Sequence, residues 1–243
     1  MDAISLKNVH ISFGKAQILK GVSLSVMPGG IYGLLGPSGS GKTTTVKIIV
    51  GILKASVGEV VVLEEIMPSF VAMKSIGYMA QENALYEDLT GQQNLEFFGA
   101  MYGLSGKNLE NRIKQSLNFI DLSGEAKKLV SKYSGGMKRR LALAAAILHA
   151  PKVLILDEPT VGIDPVLRRS IWRGLYKIAQ TGTAILITTH VMDEAEKCQR
   201  LAMMREGRII GEGTPEELKA HYGCFSIEDV FLRLSTEKDE ARR

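Results

Sequence analysis

Gly36-Pro37-Ser38-Gly39-Ser40-Gly41-Lys42-Thr43 decides how the rest of the chain is read. It matches G-x-x-x-x-G-K-[ST] at every position, and its surroundings suit the pattern. A short apolar run, residues 31–35, precedes it and reads as a buried strand. Residues 42–53 follow it with Val46, Ile49 and Val50 at helical spacing. Glycines let such a loop turn tightly, so that successive backbone N–H groups point inward at a phosphate. The helix N-terminus adds partial positive charge at the same point. Gly36, Pro37, Ser38, Gly39, Ser40, Gly41, Lys42, Thr43 and the following Thr44 are therefore candidate nucleotide-binding residues. Lys42 supplies a point charge for the β- and γ-phosphates, and the Thr43 hydroxyl is a candidate Mg²⁺ ligand.

Outward from the loop, residues 3–13 alternate polar and apolar side chains, as a half-buried strand does. Residues 18–26 read as a second strand, ended by Met27-Pro28-Gly29-Gly30. The middle changes character, with helices expected over residues 91–102, 107–120 and 135–149. Beyond it, apolar strands at 153–156 and 184–188 flank a helix over 165–180. Short apolar strands separated by helices argue for a largely parallel sheet covered on both faces. The expected architecture is an α/β core carrying a helical insert. Residues 1–81 and 151–232 would form the core, 82–150 the insert, and 233–243 a charged tail, expected to fray over 235–243.

The strand Val153-Leu154-Ile155-Leu156 runs straight into Asp157 and Glu158. At a strand's C-terminal end Asp157 faces the crevice where open α/β sheets bind ligands, a suitable place for a Mg²⁺ partner. Two adjacent carboxylates beside a phosphate call for a shared cation. They also offer a base: Glu158 is placed to polarise a water attacking a γ-phosphate.

Composition bounds the alternatives. With 243 residues, 45% hydrophobic and 23% charged, the chain can bury a real core, against disorder or a disulfide scaffold. The longest apolar run is the eight residues 141–148, too short for a membrane span of about 20 residues. Met1-Asp2-Ala3 offers no basic or apolar leader, so no secretory signal is expected. Cys198 and Cys224 fit free thiols in a reducing compartment. The net charge of +4 suits a mixed solvated surface, or a nucleotide, acidic partner or anionic membrane face. No basic stripe with interleaved aromatics is present, so nucleic acid is not an expected partner.

Further motifs fall in a recognisable order. Gln81 lies in Tyr78-Met79-Ala80-Gln81-Glu82. Tyr133-Ser134-Gly135-Gly136-Met137-Lys138-Arg139-Arg140 opens a helix. Val161-Gly162-Ile163-Asp164-Pro165 follows the carboxylates, and Thr188-Thr189-His190 closes a strand. Phe13-Gly14 precedes the phosphate loop. Together these resemble the nucleotide-binding domain of ATP-binding cassette (ABC) proteins over about residues 2–232. The resemblance implies a P-loop NTPase core with an antiparallel β subdomain and an inserted helical subdomain.

It also implies roles. Gln81 would touch Mg²⁺ or the attacking water; by itself it carries no meaning. His190, alone an ordinary strand-end histidine, becomes a γ-phosphate contact. Phe13 reads either as core or as a ring stacked on adenine. Ser134, Gly135 and Gly136 read equally as a capped helix or as a second anion site; the family uses them on the ATP held by a partner subunit. Asp164 would orient the partner's loop at the seam of an ATP-dependent homodimer or heterodimer.

Met137 departs from the glutamine common at its position. That segment, with Leu89-Thr90-Gly91-Gln92-Gln93-Asn94-Leu95 and Ser226-Ile227-Glu228-Asp229-Val230-Phe231-Leu232, is similar to exporters of drugs, lipids or polysaccharides. The implied protein is an ATPase with Mg²⁺ as cofactor, peripheral on the cytoplasmic membrane face and docked on a separate transmembrane transporter subunit. Leu85, Tyr86, Phe97 and Phe98 read either as core or as the docking surface. An ABC-type ATPase driving import or a non-transport process is the alternative.

Overall fold

The computed structural model describes residues 1–82 and 84–240. Its elements are β1 (Ile4–Phe13), β2 (Ala16–Val26), β3 (Ile31–Leu35), α1 (Lys42–Ile49), β4 (Val57–Val62), β5 (Glu65–Ile66), α2 (Phe70–Met73) and β6 (Ile76–Met79). They continue with α3 (Gly91–Met101), α4 (Gly106–Phe119), α5 (Gly135–Ile147), β7 (Val153–Asp157), α6 (Pro165–Gln180) and β8 (Ala184–Thr189). The last are α7 (Met192–Ala195), β9 (Arg200–Arg205), β10 (Arg208–Gly213), α8 (Pro215–Tyr222) and α9 (Ile227–Glu240).

Two sheets divide the strands. An antiparallel sheet has the order β2-β1-β4-β5, and a six-stranded sheet the order β10-β9-β3-β8-β7-β6. In the larger sheet the pairs from β9 to β6 are parallel, and β10 closes one edge antiparallel. Its central strands are buried on both faces, which is why residues 31–35 and 153–156 are continuously apolar. Val153 and Ile155 point to one side, with α1 and the antiparallel sheet. Leu154 and Leu156 point to the other, with α3 to α6. Each such fully buried side chain contributes about 1.5–3 kcal/mol.

Local chemistry sets the helix ends. Ser134 Oγ accepts from Met137 N at 3.3 Å and caps α5. Thr90 and Gln93 form a reciprocal capping box at the start of α3. Helix α1 stops earlier than its apolar spacing suggests, because Gly51 turns the chain at φ +79°. The stretch expected to fray, from residue 235, is helical within α9 as far as Glu240, and its last three residues lie outside the described part. Among the described residues no helix is long and apolar enough to cross a membrane.

Candidate functional site

Strand order brings the site together. β3, β8 and β7 are neighbours and parallel, so the segments leaving their C-terminal ends lie side by side. Residue 36 leaves β3, His190 leaves β8 and Glu158 leaves β7. This is the edge where open parallel sheets bind ligands.

The loop after β3 needs its glycines. A Cβ on Gly36 would lie 2.3 Å from Met204 O. Gly39 and Gly41 turn at φ +77° and +108°, in the region that favours glycine. Helix α1 then begins at Lys42, its first N–H groups without intrahelical partners. Lys42 Nζ donates to Gly36 O at 2.7 Å and to Pro37 O at 3.0 Å. Two of its three N–H bonds are used inside the loop, which leaves one. Burial lowers the lysine's pKa below its ordinary value, opposed by the Glu158 and Asp157 carboxylates. A cavity of about 310 Å³ opens here, lined by Ser38, Gly39, Gly41, Lys42, Thr43 and Thr44, with Ile18, Gln81 and Glu158.

Asp157 is 1% exposed at the end of β7. The Thr188 hydroxyl, opposite it in the β7–β8 register, donates to Asp157 Oδ1. Asp157 Oδ2 is buried without a hydrogen-bond partner. A bare buried carboxylate oxygen is costly unless a cation or donor meets it. Hard oxygens are what Mg²⁺ takes, so Asp157 with the Thr43 hydroxyl fits a divalent cation carried by a nucleotide.

Glu158 adopts φ +53°. For a residue with a side chain this costs about 1–2 kcal/mol, and surrounding bonds must hold it. Its N–H donates to Thr188 O and to Thr188 Oγ1, both at 3.1 Å. The turn aims the carboxylate at the cavity, where Oε1 meets His190 Nδ1 at 2.9 Å. With Nδ1 so bonded, Nε2 is the ring nitrogen left for a ligand.

The remaining expected residues are distributed as follows. Gln81 is exposed two residues past β6 and lines the cavity. Phe13 stands at the β1–β2 hairpin, 51% exposed, so it is not a core residue; it is not in the cavity's lining, where Ile18 is. Ser134, Gly135 and Gly136 form the start of α5 and do not line the cavity either. Gly136 packs against the loop after β7: a Cβ there would be 3.3 Å from Gly162 O. Asp164 caps α6, its Oδ1 accepting from Val166 N at 3.1 Å and Leu167 N at 3.0 Å.

Sequence reasoning passed over two supports of this site. Thr188 satisfies both Asp157 and Glu158. Glu194 is 1% exposed and accepts hydrogen bonds from the Thr160 and Thr189 hydroxyls, the latter at 2.8 Å. It thereby ties the segment after Glu158 to the segment before His190. A carboxylate four residues past a strand-end histidine was the available signal. Near Gln81, Tyr86 and Phe97 meet edge to face at 4.7 Å, and Phe97 and Phe98 at 5.4 Å. Asn94 fixes this group by accepting from Tyr86 N and donating to Tyr86 O, each at 2.9 Å.

Known proteins share the arrangement. Residues 19–161 match the family described as "ABC transporter". A Nod factor export ATP-binding protein of Burkholderia lata is 41% identical over 98% of this chain and 79% of its own length. A daunorubicin resistance ATP-binding protein of Streptomyces coeruleorubidus is 38% identical over 95% and 74%. A probable multidrug ABC transporter ATP-binding protein of Escherichia coli strain K12 is 40% identical over 98% of this chain, which spans 42% of that longer protein. The solved ATP-binding subunit of an ABC transporter superposes with a TM-score of 0.89 at 25% identity, covering 96% of this chain and 99% of that one. A dimeric ATP-binding cassette in a post-hydrolysis state, bound to ADP and Pi, gives 0.81 at 26% identity, covering 87% and 98%. Phosphate loop, strand-end carboxylates and these likenesses agree: the chain belongs to the ABC transporter family, as an ATP-binding subunit with an ABC ATPase domain.

Proposed function

We propose that this chain hydrolyses ATP with Glu158 as general base, and that ATP-driven closure of a dimer powers export through a separate transmembrane subunit. The observation that carries the reading is the Glu158–His190 pair on the wall of the phosphate-loop cavity.

The triphosphate lies along residues 36–44, its β- and γ-phosphates against Lys42 and the N–H groups opening α1. Phe13 stacks on the adenine from the hairpin. Thr43, Asp157 and Gln81 would hold Mg²⁺, which when bound would supply positive charge against the triphosphate. Glu158 accepts a proton from the attacking water, which Gln81 orients. The water oxygen bonds to the γ-phosphorus as that phosphorus parts from the oxygen it shared with ADP. His190 holds the Glu158 carboxylate with Nδ1–H and places its ring beside the γ-phosphate.

Ser134, Gly135 and Gly136, away from their own chain's cavity, engage the ATP of a partner copy or homologue. A two-fold pair closes both sites at once. Asp164 lies at that seam. ATP bridges the subunits only when they are closed, so its hydrolysis reopens them. Residues 82–150 act as a helical subdomain on the core of 1–81 and 151–232. Leu85, Tyr86, Phe97 and Phe98 receive the transmembrane partner on the cytoplasmic face. Tyr86 and Phe97 are 49% and 39% exposed, open enough for that use. Relatives named for export and drug resistance support the outward direction.

The test is the solution size of Glu158→Gln with and without Mg-ATP. A shift from monomer to dimer with ATP bound and little hydrolysis is the expected result. A variant that stays monomeric and hydrolyses at the wild-type rate ends the assignment.

A further inference from the structure

Arg139 lies one turn into α5, and its guanidinium leaves that helix to bond main chain elsewhere. Nη1 donates to Gln81 O at 2.7 Å. Nη2 donates to Asp157 O at 2.6 Å, and Nε to Glu158 O at 3.1 Å. Nη2 also reaches Glu158 O. These acceptors are peptide carbonyls on two segments, one leaving β6 and one ending β7. Those strands are neighbours, with Met79 opposite Leu156. A guanidinium presents five N–H donors in a rigid plane, so it fixes the mutual placement of the groups it bonds.

Two further observations give this fork a consequence. Lys138, the preceding residue, pairs with the Glu87 carboxylate, and Ser131 N donates to Glu87 O at 2.9 Å. The segment containing Gln81 and Glu87 is thus held to the start of α5 at both ends. Glu158 sits at φ +53°, a conformation that lasts only where both of its peptide groups are held. Thr188 holds the N–H side. Arg139 holds the carbonyl side. Without Arg139 the Glu158 carbonyl keeps only the long 3.4 Å bond from Val161 N, and the peptide is freer to turn and swing the carboxylate away from His190.

We propose that Arg139 is a positioning residue for ATP hydrolysis: it joins the first turns of α5, the Gln81 segment and the Glu158 turn into one body, so that displacement of Ser134–Gly136 is passed to Glu158. The proposal rests on Glu158 being the base. Arg139 does not line the phosphate-loop cavity, so nucleotide affinity is separable from its effect.

The experiment compares wild type, Arg139→Ala, Arg139→Lys and Glu158→Gln for ATPase kcat and KM, for binding of a fluorescent ATP analogue and for thermal melting. Displacing a reacting group by about 1 Å costs up to about a hundredfold in rate, so Arg139→Ala is expected to lose about tenfold or more in kcat. KM and analogue affinity stay within about twofold of wild type, the pattern of an interaction needed for the chemical step. Lysine reaches fewer of the carbonyls and restores only part of the rate. Ethylguanidinium added to Arg139→Ala raises its rate and leaves wild type unchanged, which a general loss of packing does not do.

If Glu158→Gln is inactive while Arg139→Ala keeps wild-type kcat, the proposal for Arg139 fails and the assignment of the base stands. If Glu158→Gln is itself active, both fail. Should Arg139→Ala not fold, Arg139→Lys carries the comparison: a folded protein with wild-type kcat overturns the proposal, and reduced kcat at unchanged KM upholds it.

Discussion

His190 Nδ1 lies 2.9 Å from Glu158 Oε1, and the two side chains differ in exposure, 47% against 13%. The histidine is the accessible half of the pair and the glutamate the sheltered half. Removing the imidazole leaves Glu158 without this partner and removes a group placed for the γ-phosphate. His190→Ala is expected to lower kcat by about a hundredfold, the scale of misplacing a reacting group by about 1 Å. ATP binding by calorimetry stays close to wild type. Wild-type turnover in steady-state assays would remove His190 from the reaction.

Lys42 already spends two hydrogen bonds on Gly36 O and Pro37 O. Its loss therefore removes a charge from the loop and takes a donor from each of two carbonyls, of which Pro37 O keeps Ser40 N at 3.2 Å. A charged hydrogen bond contributes about 1.5–3 kcal/mol, so Lys42→Ala should weaken ATP binding by roughly ten- to a hundredfold. Isothermal titration reads this directly. An unchanged dissociation constant contradicts the role.

Ser134 caps α5, and replacing that cap costs about 1 kcal/mol, too little to unfold the chain. Ser134→Arg introduces bulk and charge at the face assigned to the partner's nucleotide. The variant should bind ATP normally and fail to dimerise when combined with Glu158→Gln. Light scattering with Mg-ATP checks it; a normal dimer excludes Ser134 from the interface.

Glu194 accepts from the Thr160 hydroxyl and also from that of Thr189. Truncation leaves two hydroxyls buried without it, at about 1–3 kcal/mol each. Glu194→Ala should lose about 2–4 kcal/mol in urea unfolding and lower kcat as the Glu158 and His190 segments loosen. Stability within 0.5 kcal/mol of wild type, about the effect of an ordinary surface change, contradicts this.

His149 stacks on Tyr102 with ring centres 3.6 Å apart, and burial pushes its pKa from 6.5 down to about 4. Below about pH 6.5 the unfolded chain takes up a proton that the folded chain refuses. Stability contributed by the neutral ring is therefore present above that pH and lost as pH falls toward about 4. His149→Phe keeps a ring on Tyr102 and should flatten this arm of the curve. Calorimetric Tm at pH 7 and pH 5 compares the two proteins; an equal fall in both assigns the acid sensitivity elsewhere.

Much of this molecule is legible where one segment carries its own signal. The phosphate loop and β7 are read correctly because turn residues and apolar runs are local. Helix α6 is read to its ends because Asp164 caps it and Pro165 opens it. Strand β6 escapes: it is four residues long and contains Gly77, where a Cβ would sit 2.1 Å from Ala146 O of α5. Close packing of a helix on the sheet demands a residue that erases the strand's pattern. Strand β9 escapes too, since Leu201, Ala202, Met203 and Met204 favour helix, and burial between β3 and β10 overrides that preference. Arg139 stands in a quoted motif, yet its partners are carbonyls 58, 18 and 19 positions away, and no pattern of side chains encodes them.

The backbone of Glu158 is one that glycine or asparagine occupies with less strain. Either would also take the carboxylate away from His190. Comfort of the chain and possession of the carboxylate are thus opposed choices at one position. A search for sturdier variants of this protein would be drawn to residue 158, and would find stability there by discarding the carboxylate that pairs with His190.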